Sequence, residues 1–210
     1  MTQSEKILAL VRHGETEWNR QHRWQGRAGA PLNDLGHRQA SSAVEPLVEQ
    51  APAAGWHWMI TSPLERAVET GARIRERLAA EHGLRLSATT DPDVVERDYG
   101  VADGMPSVEA AERWPDGVFP GMESDDDLQR RGAEALRRIA TTRAGDGIIV
   151  AHGAFIRAAV AAVCDPAAPR ILNGSVTLLG FDGARWRAMA YNLVGDTGAV
   201  GELTPLAAAL

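Results

Sequence analysis

Two short apolar runs, far apart in the chain, constrain the fold of this protein most strongly. Residues 7–11 (Ile-Leu-Ala-Leu-Val) and 148–151 (Ile-Ile-Val-Ala) have no helical period and are typical of strands buried in a parallel sheet. The first run leads into Arg12-His13-Gly14, and the second leads into His152-Gly153. Because parallel strands of one sheet end at the same edge, both histidines are predicted to lie in one crevice.

Helical patterns and further strand candidates alternate along the rest of the chain. Strands are predicted over 56–61 and 84–89, and a β-hairpin is predicted over 175–181 and 186–191. Apolar residues at helical spacing predict helices between these strands. The alternation favours a layered α/β fold.

Local signals predict where several helices begin. Ser62-Pro63-Leu64-Glu65 matches a capping pattern with serine at the N-cap, and Asn33 or Asp34 is predicted to cap an earlier helix. Residues 15–27 show no periodicity, so we expect a loop that lies over the end of the first strand.

Length, charge and cysteine content set the broad class of the protein. The 210 residues are enough for a single domain over 1–210, with a loosely held tail from about residue 193. A net charge of −6 gives no reason to expect nucleic acid or an anionic membrane as a partner. Cys164 is the one cysteine, which excludes an internal disulfide and fits a reducing cytosol. No apolar run approaches the ~18 residues of a membrane span and no signal-peptide core is present, so a cytoplasmic protein is predicted.

A third strand–helix junction adds another basic residue to the predicted crevice. Arg66 lies in the first turn of the helix that follows Ser62, near the carboxyl end of the second strand. The helix N-termini after Ser62 and His152 are predicted to direct free amides to the same place, which suits a phosphoryl group. A neutral imidazole beside arginine can attack such a group as a nucleophile. Taken singly, each histidine is more often an ordinary polar residue, so the prediction depends on the combination.

Six short motifs follow one another along the chain. They are Arg12-His13-Gly14-Glu15-Thr16 with Trp18-Asn19, Arg23-Trp24-Gln25-Gly26, Pro31-Leu32, Ser62-Pro63-Leu64-Glu65-Arg66-Ala67, Glu96-Arg97-Asp98-Tyr99-Gly100 and Ala151-His152-Gly153. In this order they resemble the histidine phosphatase superfamily, in its phosphoglycerate-mutase-like form, over nearly the whole chain to about Asn192. The resemblance implies an α/β three-layer sandwich, with a mostly parallel central sheet flanked by helices.

The resemblance also implies a role for each matched residue. His13 would attack phosphorus and carry a covalent phosphohistidine, with its other ring nitrogen held by a backbone carbonyl. Glu96 would protonate the leaving oxygen and then deprotonate the water that releases phosphate. The residues that would bind phosphoryl oxygens and offset their charge are Arg12, Arg66 and His152. Those that would complete the phosphate pocket are Asn19, Gln25, Gly26 and Gly153. No metal or cofactor is implied.

Further residues near the motifs are candidates for contacts with the rest of the substrate. Arg23, Arg97 and Tyr99 fit that role, although a structural role is equally compatible with each. Trp18 is predicted to pack against the protein interior. The histidines expected to be solvated are His22, His37, His57 and His82.

Three functions remain open from the sequence. A metal-independent phosphatase of the histidine acid phosphatase type, acting on a small phosphomonoester, is favoured because the stretch from Glu96 to His152 is shorter than in the mutases. Their longer insertion there covers the site and keeps water away. The alternatives are phosphoryl transfer between positions of a phosphoglycerate and a non-catalytic phosphate-binding module, against which the acid Glu96 argues. The implied partner is a small phosphorylated metabolite, and a homodimer is compatible with the sequence.

Overall fold

A computed structural model describes residues 5–164 and 168–198, and a mixed β-sheet with helices on both faces forms its centre. The strands are β1 (Lys6–Arg12), β2 (Trp56–Thr61), β3 (Ser87–Thr90), β4 (Asp146–Ala151), β5 (Val176–Phe181) and β6 (Trp186–Leu193). The helices are α1 (Glu17–Arg20), α2 (Asp34–Ser42), α3 (Val44–Glu49), α4 (Glu65–His82), α5 (Ser107–Arg113), α6 (Asp125–Thr142) and α7 (Gly153–Val163), with short 3₁₀ turns at Pro92–Val94 and Gly100–Ala102.

The sheet has the strand order β3-β2-β4-β1-β5-β6, which places the two apolar runs side by side. β4 pairs in parallel with both β1 and β2, and Arg12 lies opposite Ala151 in the register. β5 is antiparallel to β1, and β6 is antiparallel to β5, so the predicted hairpin is confirmed. The predicted α/β fold with a mostly parallel sheet between helices is confirmed as well.

Alternating side chains of β1 divide the core into two layers. Leu8 and Leu10 pack on the face covered by α6 and α7, whereas Ala9 and Val11 pack on the face covered by α3 and α4. Successive side chains of a strand point to opposite faces, so a strand buried on both sides must be apolar at every position. This requirement explains why the run at 7–11 shows no alternation.

The start of α4 corrects a prediction. Leu64, with an extended backbone at ψ 135°, is the N-cap, and the helix begins at Glu65. The Ser62 hydroxyl instead accepts a hydrogen bond from the Leu64 amide at 3.3 Å, before the helix starts. Ser62 is therefore not the N-cap, although it stabilises the turn that leads into the helix.

The predicted loop over 15–27 contains a short helix. Thr16 caps α1 by accepting a hydrogen bond from the Asn19 amide, and the Asn19 side chain accepts one from the Thr16 amide. The capping prediction for Asn33 is confirmed, because its side chain accepts a hydrogen bond from Gly36 at the start of α2. The helical pattern that contains Pro46 divides into α2 and α3, since proline lacks the amide needed to continue the hydrogen bonding.

The predicted tail from about residue 193 lies mostly outside the described residues. In the described part of the tail, residues 193–198, the Asp196 amide donates to the Glu45 carboxylate at 2.8 Å. This contact holds the segment near α3.

Candidate active site

The ends of β1 and β4 bring the two predicted histidines together. The His13 amide donates to the Ala151 carbonyl at 3.0 Å, which continues the pairing of the strands by one residue. The imidazole centroids of His13 and His152 are 5.2 Å apart, with the ring planes tilted by 59°. The prediction that the two rings lie close together is confirmed.

His13 is held in the form that a nucleophile requires. Its Nδ1 lies 2.7 Å from the Gly14 carbonyl, so Nδ1 carries the proton and donates it, while Nε2 keeps a lone pair. Arg66 Nε donates to Nε2 at 3.2 Å. Burial, reinforced by the charges of Arg66 and Arg12, holds the pKa of His13 well below its ordinary value of 6.5. The ring is therefore neutral at neutral pH.

His152 is fully buried, yet neither of its ring nitrogens has a hydrogen-bond partner within the described part of the chain. Burial, followed by the charges of Arg66, His13 and Arg12, holds the pKa of His152 well below 6.5. The Nε of Arg12 is also buried without a partner there. Buried polar groups in proteins are normally satisfied, so these atoms point to a ligand that accepts and donates hydrogen bonds.

Two arginines, the buried Arg66 and the partly buried Arg12, supply positive charge beside the histidines. Arg12 Nη1 donates to the Ile171 carbonyl at 2.7 Å, and a Cβ on Gly153 would lie 3.1 Å from Arg12 Nε. Gly153 thus leaves room for the guanidinium. Arg66 donates to the carbonyls of Gly26 at 2.7 Å and Ala28 at 3.2 Å. Burial lowers the pKa of Arg66 to about 10, so it stays charged at neutral pH.

Glu96 lies at the N-terminus of α7, next to His152. Its carboxylate accepts hydrogen bonds from the amides of Phe155 at 3.0 Å, Ala154 at 3.3 Å and Arg97 at 2.9 Å. The prediction of free helix amides at this junction is therefore wrong for Ala154 and Phe155, because a carboxylate of the chain itself occupies them. The same contacts fix Glu96 at the first turn of α7, next to His152.

Asn19 and Gln25 belong to one polar network under the site. Gln25 Oε1 accepts from the Thr16 hydroxyl at 2.8 Å and from Asn19 Nδ2 at 3.2 Å. The Gly26 amide donates to Asp103 at 2.8 Å, while its carbonyl accepts from Arg66. Gly26 therefore orients Arg66, and its own amide already has a partner.

The three residues predicted to hold the rest of the substrate have partners within the protein. Arg97 donates to the Glu123 carbonyl at 2.8 Å and pairs with Asp125 at 2.8 Å. Arg23 Nη1 donates to the Gly104 carbonyl at 2.8 Å. Tyr99 packs on Trp24 with ring centroids 4.7 Å apart, and burial raises its pKa. These contacts are structural, and a role in substrate binding stays a prediction.

Sequence reasoning missed Asn173, which contacts two site residues. Its Nδ2 donates to the His13 carbonyl and to Asn19 Oδ1, both at 3.1 Å. The only local signal was the dipeptide Asn173-Gly174, which is typical of a turn. A contact between residues so far apart in sequence depends on the antiparallel placement of β5 beside β1.

A surface groove of about 370 Å³ lies away from these residues, between α2, α4 and residues 196–197. Arg77 in its wall is already paired with Glu81 and Glu45. His37, another wall residue, was predicted to be solvated but is partly buried. The same prediction is confirmed for His57 and His82, which are exposed. The groove offers no set of buried, unpaired groups comparable with the histidine site.

The described residues contain neither a cluster of metal ligands nor a membrane-spanning helix. No group of three or more His, Cys, Asp or Glu side chains within 5–164 and 168–198 is arranged to hold a metal ion. Among the helices in these same ranges, none is long and apolar enough to cross a membrane.

The site combines an α/β sheet edge, two neighbouring neutral imidazoles, the buried Arg66 and the partly buried Arg12, and such an arrangement suits a tetrahedral anion beside a nucleophile. Comparison with known proteins identifies the family. The family model of the histidine phosphatase superfamily (branch 1) matches residues 8–194. The chain belongs to this superfamily, whose members similar to it include phosphatases and phosphoglycerate mutase-like proteins.

Three similar proteins illustrate this range. The uncharacterized phosphatase PhoE of Bacillus subtilis is 36% identical over 191 residues, which cover 89% of this chain and 94% of the relative. A 2,3-bisphosphoglycerate-dependent phosphoglycerate mutase of Methylocella silvestris is 30% identical, with 88% of this chain and 80% of the mutase covered. The solved structure of a mycobacterial glucosyl-3-phosphoglycerate phosphatase complexed with VO3 is 26% identical and has a TM-score of 0.75, covering 89% of this chain and 98% of that one.

Proposed function

We propose that this protein is a metal-independent phosphatase that hydrolyses a small phosphomonoester through a covalent phosphohistidine on His13. The observation that carries the proposal is the neutral His13 ring, whose Nε2 accepts a hydrogen bond from Arg66 and which lies beside His152, a ring with no partner among the described residues. An unprotonated ring nitrogen close to hydrogen-bond donors for phosphoryl oxygens is what in-line attack on phosphorus requires.

In the first step, His13 Nε2 attacks phosphorus and the ester P–O bond breaks. The Nε–H of Arg66, which caps Nε2 in this structure, moves its hydrogen bond to a phosphoryl oxygen as the substrate enters. Arg12 and His152 bind the remaining oxygens with their unpartnered nitrogens. The Gly14 carbonyl keeps the proton on Nδ1, which stabilises the positive charge on the phosphorylated ring.

Glu96 supplies and removes the proton. It protonates the leaving oxygen when the ester bond breaks, and it then takes a proton from the water that attacks phosphohistidine. The N–P bond breaks, and His13 is restored with phosphate as the product. The amides of α7 hold the carboxylate in place for both steps. General acid–base catalysis of this kind contributes roughly 10²–10⁴-fold in rate.

Phosphate release tests the proposal directly. Wild-type protein should release phosphate steadily from a chromogenic phosphomonoester in the presence of EDTA, and His13→Ala should release none. His82→Ala, which changes an exposed histidine at the end of α4, is the matched control and should be fully active. Undiminished release by folded His13→Ala would overturn the proposal.

Phosphoglycerate mutase activity is the second candidate, because a relative 30% identical to this chain carries that name. The short stretch between Glu96 and His152 supports hydrolysis instead, since a smaller cover admits water to the phosphorylated ring. With 3-phosphoglycerate as substrate, formation of 2-phosphoglycerate faster than phosphate release would favour the mutase.

A further inference from the structure

The turn at residues 171–174, between α7 and β5, lies against the end of β1 and contacts both site residues there. The Ile171 carbonyl accepts from Arg12 Nη1 at 2.7 Å. The Gly174 amide donates to the carbonyls of Arg12 at 3.0 Å and His13 at 3.2 Å. Asn173 adds the one side chain of this turn that donates directly to His13 and Asn19.

Asn173 helps to fix the peptide plane that carries His13. The carbonyl of that plane accepts from Asn173 Nδ2 at 3.1 Å and from the Gly174 amide. The amide on the other side of the plane, that of Gly14, donates to the Thr70 hydroxyl at 3.1 Å. Hydrogen bonds on both sides prevent rotation of the plane, and the direction of the His13 side chain depends on it.

Asn173 also helps to determine which way the Asn19 amide faces. Asn19 Oδ1 accepts from Asn173 Nδ2 at 3.1 Å and from the Thr16 amide at 3.3 Å. Its Nδ2 donates one hydrogen to Gln25 at 3.2 Å. An amide nitrogen has two hydrogens, so the second remains for a phosphoryl oxygen. A reversed amide would present an acceptor, which repels that oxygen.

We propose that Asn173 is a positioning residue for phosphoryl transfer, acting by fixing the His13 peptide and the orientation of the Asn19 amide. The inference rests on the proposed function, because it assigns Asn173 to the same phosphoryl site.

The substitution Asn173→Asp tests this directly, because it keeps the size of the side chain and replaces both donor hydrogens. A carboxylate would then face the His13 carbonyl and Asn19 Oδ1, and the Asn19 amide would turn. We expect kcat to fall and the dissociation constant of orthovanadate to rise by roughly tenfold or more, the effect of losing about one charge-assisted hydrogen bond.

Asn192→Asp, in β6, is the matched control because the Asn192 side chain contacts the same turn. Asn192 Oδ1 accepts from the Leu172 amide at 2.9 Å and the Ser175 hydroxyl at 3.0 Å, and its Nδ2 donates to the Arg170 carbonyl at 2.8 Å. The variant keeps both acceptor contacts, loses one donor, and touches neither His13 nor Asn19. Its kcat and orthovanadate affinity should stay close to those of the wild type, even if its melting temperature falls.

A double-mutant cycle with Asn19→Ala separates positioning from a structural role. If Asn173 acts partly through Asn19, Asn173→Asp should weaken orthovanadate binding less in the Asn19→Ala background than in the wild type. Additive effects, or equal effects of Asn173→Asp and Asn192→Asp in wild-type background, would overturn the inference. Absence of phosphate release by the wild type would instead overturn the proposed function, and orthovanadate binding would still test the positioning of Asn19.

Discussion

At the scale of single residues, the two buried imidazoles make the stability of the fold depend on pH. Burial and the neighbouring arginines lower the pKa of both His13 and His152 well below 6.5. The unfolded chain takes up a proton on each near pH 6.5, whereas the folded protein does so only at lower pH. Their contribution to stability is therefore complete above pH 6.5 and is lost as the pH falls towards the lowered pKa.

We expect the free energy of unfolding to decrease as the pH falls below 6.5, by at most about 1.4 kcal/mol per pH unit for each histidine that stays neutral in the folded protein. Urea unfolding at several pH values measures this slope. His152→Gln should remove the part of this pH dependence that comes from one histidine. His82→Gln, which changes an exposed histidine, should keep the wild-type slope. An unchanged slope in His152→Gln would show that His152 does not contribute in this way.

The residues of the site could be predicted to different degrees. His13 and His152 follow apolar strands, and Arg66 follows a turn, so each stands at a position that the sequence marks. Asn173 could not be found in this way, because nothing in the sequence indicates which distant carbonyl its amide contacts. The contacts of Glu96 with α7 could not be predicted either, because they join residues that are far apart in the sequence.

At the scale of elements, α2 meets the loop after His13 through two glycines. A Cβ on Gly36 would lie 2.0 Å from the Glu15 carbonyl oxygen, and one on Gly14 would lie 2.2 Å from the Gly36 carbonyl oxygen. Both contacts involve backbone, which cannot move away cheaply. The helix and the loop can therefore approach this closely only because both residues are glycine.

Gly36→Ala should have two opposing effects on stability, a higher helix propensity and a clash of the new Cβ with the Glu15 carbonyl oxygen. Alanine favours a helix over glycine by about 1 kcal/mol, but overpacking costs about 1–3 kcal/mol, so we expect net destabilisation. Displacement of the Glu15 backbone should also reduce kcat per folded molecule. Gly132→Ala is the control, because its Cβ would lie 2.7 Å from Ala159, between α6 and α7. It should lower the melting temperature and leave kcat unchanged, and equal kcat values for the two variants would contradict the argument.

The elements themselves were predictable where one physical signal dominates. β1 and β4 contain the continuous apolar runs at 7–11 and 148–151, and no other local structure fits them as well. The start of α4 was wrong by two residues because Ser62 satisfies the Leu64 amide before the helix begins. α1 was missed because it depends on a reciprocal cap between Thr16 and Asn19, in which asparagine replaces the usual Glu or Gln.

At the scale of the whole molecule, the site joins segments from both halves of the chain. His13 follows β1 directly, Arg66 lies in α4, and His152 follows β4 directly. Their contacts extend to the 171–174 turn and to Glu96. A phosphate-like anion bound to all of them would connect these segments in the folded protein only, and it has no comparable site in the unfolded chain.

Orthovanadate should therefore stabilise the protein against heat. At a hundredfold excess over its dissociation constant it adds about 2.7 kcal/mol, which for a chain of this size raises Tm by roughly 5–10 °C. Arg66→Leu should abolish most of the shift, because its guanidinium donates into the site. Arg73→Leu changes a half-exposed arginine two turns further along α4 and should leave the shift intact. The Tm shift of Arg66→Leu is measured against the ligand-free Tm of the same variant. A shift as large as that of the wild type would mean that the anion binds elsewhere, because binding in the proposed site depends on Arg66.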